Sequence, residues 1–133
     1  MPKSQFVPLS IEEILALDRE YRQKAEADEL RKIAPKRFNP TGEAWLPIMH
    51  KRLRGYRITF LFSNTKRAHE QGKTRDWVVL YCKEPQAQET QCTIVTEFAG
   101  VLKGKRVIRG REEDCRKYYV YKEIHLNQLE FRK

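Results

Sequence analysis

The chain has 133 residues and a mass of 15.9 kDa, which is the usual size of one domain, and we therefore expect a single domain over residues 1–133. It lacks the run of about 18 apolar residues that would span a membrane, and its first residues, MPKSQFVPLS, lack the apolar core of a signal peptide. These features exclude a membrane protein and favour the cytoplasm. The three cysteines, Cys82, Cys92 and Cys115, match neither a disulfide framework nor paired zinc ligands, so we expect them reduced and mostly buried.

The formal net charge of +9 is unevenly distributed along the sequence. Residues 1–49 carry eight basic and eight acidic side chains, residues 50–83 carry nine and two, and residues 84–133 carry ten and eight. A charge that served solubility alone would be spread over the surface. The clustering therefore favours a local surface that binds an anion, although a solvated face without a partner is the plainer alternative.

The first predicted element is a helix, within a helical lead-in over residues 11–33. Ser10 to Glu13 fits a capping box, and apolar residues then recur at spacings of three and four through Ala25. The charges opposite this stripe balance each other, so we expect the helix to cover a sheet. A weaker helical turn is predicted from Asp28 to Ile33, and turn residues follow up to about Glu43.

A β-rich core is predicted over residues 44–121. Residues 45–49 and 56–62 form a hairpin, and Pro47 places its first strand at an edge or a bulge. Residues 63–65 begin a short helix that ends at Gly72, and the apolar run 77–82 indicates a central strand buried on both faces. Residues 91–97 return antiparallel, residues 105–109 form a further strand, and residues 112–119 form a helix. From Val120 to Lys133 the pattern leaves strand and helix both open.

The fold class predicted from these elements is α+β. We expect a twisted antiparallel sheet of about five strands, packed by the N-terminal helix and short helices.

Basic side chains flank the predicted strand 56–62 at both of its ends. Arginine forks and helix N-terminal amides both bind phosphate, and a later basic strand could lie beside the first and extend the surface. The candidate phosphate contacts are Arg52, Arg54, Arg57, Ser63, Asn64, Lys66, Arg67, Lys73, Arg75, Arg106, Arg109 and Arg111, with Lys51, Lys103 and Lys105 beside them.

Aromatic side chains interleave with these charges, and exposed ones could stack on unpaired bases. Aromatic residues in strands are mostly core, so we expect Phe60, Phe62 and Trp77 to be buried. The tyrosines are then the candidate stackers, namely Tyr56, Tyr81, Tyr118, Tyr119 and Tyr121.

An enzyme is the second hypothesis. His50 or His69 could act with Glu97 as general base and acid in a small nuclease, with Arg75 or Arg109 stabilising the developing charge. Carboxylates for a metal-dependent nuclease are present but follow no recognised signature, so we expect no metal and no cofactor. Phosphate-binding glycine loops, GxSxG and CxxC motifs are absent from the sequence.

The strings IAPKRFNPTGEAWLPIMH, TFLFSNTKRAHEQGKTRDWVVLYC, QCTIVTE and GKRVIRGREEDCRKYY occur in chain order. Together with the lead-in they make residues 11–119 resemble the C-terminal region of helix-hairpin-helix DNA-binding proteins related to family X DNA polymerases. That region lies downstream of tandem helix-hairpin-helix units, which this chain lacks, as it lacks paired polymerase aspartates. The resemblance implies an accessory DNA-handling module and no polymerase activity, with a surface around the RFNP, SNTKRAH and RVIRGRE segments.

The sequence thus predicts a domain without catalytic activity that binds nucleic acid, DNA rather than RNA, through arginine and lysine clusters. The alternatives are the nuclease and a protein-interaction domain of a DNA repair or replication factor. Such an interaction domain would use the face of the first helix or the aromatic C-terminal segment.

Overall fold

A computed structural model describes residues 7–131, with side chains up to residue 126, and it confirms the α+β class. One antiparallel sheet contains six strands in sequential order, each paired with the next along the chain. The elements are α1 (Ile11–Glu26), β1 (Lys32–Ile33), β2 (Leu46–Leu53), β3 (Tyr56–Phe62), α2 (Lys66–Glu70), β4 (Val78–Lys83), β5 (Glu89–Thr96), β6 (Arg106–Ile108) and α3 (Glu112–Phe131). None of the described helices is long and apolar enough to cross a membrane.

The sixth strand is β1, which replaces the helical turn that the sequence predicted at residues 28–33. Asp28 adopts φ 59, a left-handed conformation that ends the helical path after α1. Lys32 and Ile33 then pair with Pro47 and Leu46 of β2. Among the described residues the rest of β2 pairs with β3 alone, so most of β2 is a sheet edge, although Pro47 itself lies opposite Lys32 of β1.

Helix α1 begins with the predicted capping box, in which Glu13 N–H donates to Ser10 Oγ over 3.0 Å. Its apolar stripe is buried against the sheet, and Tyr21 is fully buried. The Tyr21 hydroxyl donates to the carbonyl of Pro47 over 2.7 Å and accepts from the N–H of Phe62 over 2.9 Å. The helix is therefore joined by hydrogen bonds to β2 and β3 as well as by apolar packing.

Helix α3 packs on the same side of the sheet as α1, and it is longer than the predicted helix 112–119. Cys115 is buried, and the Tyr119 hydroxyl donates to the carbonyl of Arg106 over 2.7 Å. Further along, Tyr121 is 69% exposed. This second half carries apolar side chains that are not buried, so no amphipathic stripe marked it as helix in the sequence. Residues 1–6, 132 and 133 lie outside the described residues. The prediction for Val120 to Lys133, which left strand and helix both open, therefore falls partly outside them.

The core lies between the two long helices and one face of the sheet. Strand β4 shows the consequence for the other face. Val78, Leu80 and Cys82 are buried, whereas Val79 and Tyr81 between them are half-buried and Lys83 is exposed. The prediction that this strand is buried on both faces was therefore wrong, because neither long helix covers its second face.

Candidate nucleic-acid interface

The face of the sheet turned away from α1 and α3 carries several of the predicted residues, and we call it the open face. The strand registers arrange its side chains in three rows that run across β2, β3, β4 and β5. The basic row is Arg52, Arg57, Lys83 and Glu89, the middle row is His50, Thr59, Tyr81 and Gln91, and the apolar row is Ile48, Leu61, Val79 and Thr93.

The basic row places three cations side by side. Arg52 is the direct partner of Arg57, and Arg57 is the direct partner of Lys83 on the next strand. All three are exposed, and none forms an ion pair with the side chains that the structure describes, although the Lys83 amine donates to the carbonyl of Ala87. Like charges directly opposite each other destabilise a sheet. The three adjacent cations are therefore unfavourable for the isolated fold and favourable for a bound anion, with Glu89 opposite Lys83 as the acidic residue of the row.

A concavity of about 550 Å³ lies over the basic row. His50 is in its wall, with its Nδ1 atom 3.1 Å from Thr59 Oγ1. Glu89 is the acidic residue of the lining, at the far end of the row from Arg52. The concavity therefore has more positive than negative charge.

Two neighbouring cations of the same hairpin point to the opposite side, towards α1. Arg54 Nη2 is 3.1 Å from Glu13 Oε1, and Lys51 Nζ is 2.8 Å from Glu20 Oε2. The hydrogen bond from Arg54 lowers the pKa of Glu13 to about 2. These two side chains hold the hairpin to the helix, so Arg54 does not belong to the open face.

Arg106 was a predicted phosphate contact, but it is an internal structural residue. Its side chain is 12% exposed, and it binds both carboxylate oxygens of the fully buried Asp18, at 3.1 and 2.9 Å. Its Nη1 atom also donates to Asp76 Oδ1 and Thr96 Oγ1, each at 3.1 Å. The guanidinium is therefore already occupied by acceptors of the protein itself.

The other predicted arginines of this segment also have acidic neighbours. Arg109 lies 3.2 Å from Glu112 and 3.7 Å from Glu97, and Arg111 lies 3.3 Å from Asp114. The strand that precedes them, β6, pairs with β5 at the edge opposite β2. It does not lie beside the first hairpin, so it does not extend the basic row.

The predicted cluster around α2 contains two kinds of residue, those that organise the turn before the helix and those whose basic side chains are exposed. Thr65 caps the helix, Ser63 is buried, and Asn64 is engaged on both sides. Asn64 Nδ2 donates to the carbonyl of Arg37 over 3.0 Å, and its Oδ1 lies 2.6 Å from His69 Nε2. Ser63 and Asn64 therefore organise the turn. The exposed basic side chains here are Lys66, which lies 3.9 Å from Glu70, with Arg67, Lys73 and Arg75.

A second concavity, of about 640 Å³, lies on the open face beside α2. Its lining includes Trp77, Thr93 and Val95. Arg67 lies at the α2 side, and Arg109 lies at the opposite side together with Phe98, which is 77% exposed. This concavity brings together one residue from each of two predicted basic clusters. Arg109 is held by its acidic partners, so Arg67 supplies the accessible positive charge.

The histidine and carboxylate of the nuclease hypothesis are not assembled. In the register His50 is level with Gln91, and Glu97 lies six residues further along, about 20 Å away at about 3.3 Å per residue. His69 contacts Asn64 and the ring of Phe38, with ring centroids 4.9 Å apart, whereas Glu97 contacts Arg109 and the N–H of Phe98. Neither histidine therefore has Glu97 as a proton-transfer partner.

The described residues also form no site for metal binding or for thiol catalysis. No group of three or more histidine, cysteine or acidic side chains could hold a metal ion there. The cysteines are free thiols, with Cys82 and Cys115 buried, and burial raises the pKa of Cys92 to about 12. A thiol with so high a pKa is a poor nucleophile at neutral pH.

The aromatic predictions were partly right. Phe60 and Phe62 are buried, whereas Trp77 is only half-buried and lines the second concavity. The candidate contacts predicted from the sequence did not include Lys83, which lies in the basic row, and the sequence prediction assigned Val79 to a core on both faces. The alternation from Val78 to Lys83, with a lysine in phase with Tyr81 and Val79, was the available signal.

Comparison with protein-family models found no match, and comparisons with curated proteins and with solved structures found none either. The function therefore has to be inferred from the geometry of this chain.

Proposed function

We propose that the protein binds nucleic acid through the open face of its sheet. The observation that carries the proposal is the basic row, in which Arg52, Arg57 and Lys83 lie side by side and exposed. None of the three forms an ion pair with the described side chains, although Glu89 lies opposite Lys83 on the next strand. A polyanion with regularly spaced phosphates would compensate all three charges at once.

The pairing of the other basic side chains supports the choice of this face. On the helix side, Arg54, Lys51 and Arg106 each have a carboxylate within 3.1 Å. On the open face and around α2, Arg109 is paired with Glu112 at 3.2 Å, whereas the other exposed cations there have no carboxylate of the described residues closer than 3.9 Å. The candidate phosphate contacts are therefore Arg52, Arg57, Lys66, Arg67, Lys73, Arg75 and Lys83.

The resemblance to the region downstream of helix-hairpin-helix units favours DNA as the nucleic acid. It adds no catalytic role, and the proposal is an accessory binding domain.

The test compares variants that remove one positive charge from the open face with a variant that removes one from the helix side of the sheet. Arg52→Gln, Arg57→Gln and Lys83→Gln should each weaken DNA binding in fluorescence anisotropy and lower the salt slope by about 0.7 to 0.9. Arg54→Gln removes the same charge on the helix side, and it should leave affinity within about 2-fold, since exposed charges further away are screened. A loss for Arg54→Gln equal to that of the open-face variants, or no binding at low salt, would refute the proposal.

A protein partner has one observation in its favour. The second half of α3 exposes Tyr121, Ile124 and Leu126. The apolar face of α1, the other predicted docking surface, is buried in the core. Binding to α3 would change little with salt, so a salt titration separates it from binding at the open face.

A further inference from the structure

The order of the three rows on the open face bears on whether single-stranded or double-stranded nucleic acid binds there. An inference from this order rests on the function proposed above. Two residues along a strand advance about 6.6 Å, so the basic row is about 13 Å from the apolar row. Between them lies the middle row, with Tyr81 between Thr59 and Gln91. A ligand that crosses the face along the strands therefore meets cations first, then an aromatic ring, then apolar side chains.

The far end of this path is again cationic and aromatic. Trp77 precedes β4 by one residue and lies about 20 Å from Lys83 along the strand. It lines the second concavity, where Arg67 and the exposed ring of Phe98 are also found. Cations thus lie at both ends of a path whose middle is aromatic and apolar.

A double helix fits this order poorly. Its bases are stacked inside, so the side facing a flat sheet is phosphate and sugar, and these would cover Tyr81, Leu61 and Val79 without any favourable contact. Readout of a duplex groove also needs a projecting helix or ribbon. Helices α1 and α3 lie on the opposite side of the sheet, and α2 has five residues.

We infer that the open face binds single-stranded nucleic acid, with unpaired bases stacked on Tyr81 and in the second concavity against Trp77. The phosphates contact Arg52, Arg57 and Lys83 at one end and Arg67 at the other. Stacking on aromatic side chains that stand on a sheet is a general way to bind unpaired bases, and a path of about 20 Å accommodates only a few nucleotides.

The experiment measures affinity for an oligothymidine, for the corresponding oligouridine and for a DNA duplex of the same length, at about 50 mM salt. We expect at least about 10-fold tighter binding of a single strand than of the duplex, and the two oligonucleotides identify which sugar is preferred. Tyr81→Leu should weaken single-strand binding by about 5-fold to about 150-fold. Tyr81→Phe, which keeps the ring, should bind like the wild type.

Tyr121→Leu is the matched control, because Tyr121 is an exposed tyrosine on α3 and should not affect binding. Circular dichroism and thermal unfolding establish that each variant is folded. If the duplex binds as tightly as the single strands, or if folded Tyr81→Leu keeps full affinity, the single-strand inference is overturned while the proposed function stands. If no nucleic acid binds, both are overturned.

Discussion

Asp18 of α1 and Arg106 of β6, 88 residues apart in sequence, form a bidentate ion pair with N–O distances of 2.9 and 3.1 Å. Asp18 is completely buried, and Arg22 also contacts it at 3.0 Å. A buried carboxylate needs such partners, because without them it would lose its hydration and gain nothing in return. This pair therefore determines how α1 sits on the last strands of the sheet.

Replacing Arg106 should test its structural role. Arg106→Gln leaves Asp18 without its main buried partner, and we expect the free energy of unfolding to fall by about 3 to 5 kcal/mol in urea denaturation. Arg22→Gln removes the more exposed contact to the same carboxylate and should cost about 1 kcal/mol or less. An Arg106→Gln protein that is as stable as the wild type but binds nucleic acid weakly would return Arg106 to the binding surface.

The Tyr21 hydroxyl offers a second test of how α1 is attached. Tyr21→Phe keeps the ring but leaves the carbonyl of Pro47 and the N–H of Phe62 without their partner. We expect a loss of about 1 to 3 kcal/mol in the free energy of unfolding, with unchanged nucleic-acid affinity at temperatures where the protein is folded. An unchanged free energy of unfolding would mean that these hydrogen bonds contribute nothing net.

The ion pair between Glu13 and Arg54 should make stability depend on acid pH. Its hydrogen bonds lower the folded-state pKa of Glu13 from 4.5 to about 2, so the charged form stabilises the fold above the unfolded-state pKa. This contribution is fully present above about pH 4.5 and is lost as the pH falls towards 2. Glu13→Gln keeps an N-terminal capping side chain and removes the charge. The stability difference between the two proteins should therefore be present at pH 6 and shrink below pH 4.5, and a difference that grows in acid would contradict this assignment.

The separation of His50 and His69 from Glu97 predicts the outcome of a nuclease assay. Incubation with labelled DNA or RNA, with and without divalent metal, should give no cleavage above a buffer control. His50→Ala and His69→Ala should behave in the same way. Cleavage that the wild type shows and either variant loses would revive the nuclease hypothesis with a different carboxylate.

The elements that depend on local patterns were predictable. The capping box at Ser10, the start of α2 after residues 63–65 and the alternation of Ile58, Phe60 and Phe62 are all decided by neighbouring residues, and all were found where expected. The two-residue strand β1 was not, because it exists only through pairing with β2.

The sequence could identify the candidate phosphate contacts only by their charge. The sequence could not separate Arg52 from Arg54, two residues away, because the difference lies in Glu13, 41 residues away from Arg54. Nor could it show that Arg106 faces Asp18. Tertiary pairing, which has no local signal, decides which cations are accessible.

The exposed edge of β2 has a further consequence for the protein in solution. The N–H of Ile48 donates to the carbonyl of Arg31 over 2.9 Å, and beyond Ile48 this strand has no neighbour on its outer side among the described residues. An open edge invites pairing with the edge of another molecule. Lys51 and Arg52 lie along this edge, and charged side chains there disfavour such pairing by repulsion. Arg52, which we assign to ligand binding, therefore also protects the free protein from self-association, and a variant without these two charges would be more prone to aggregate.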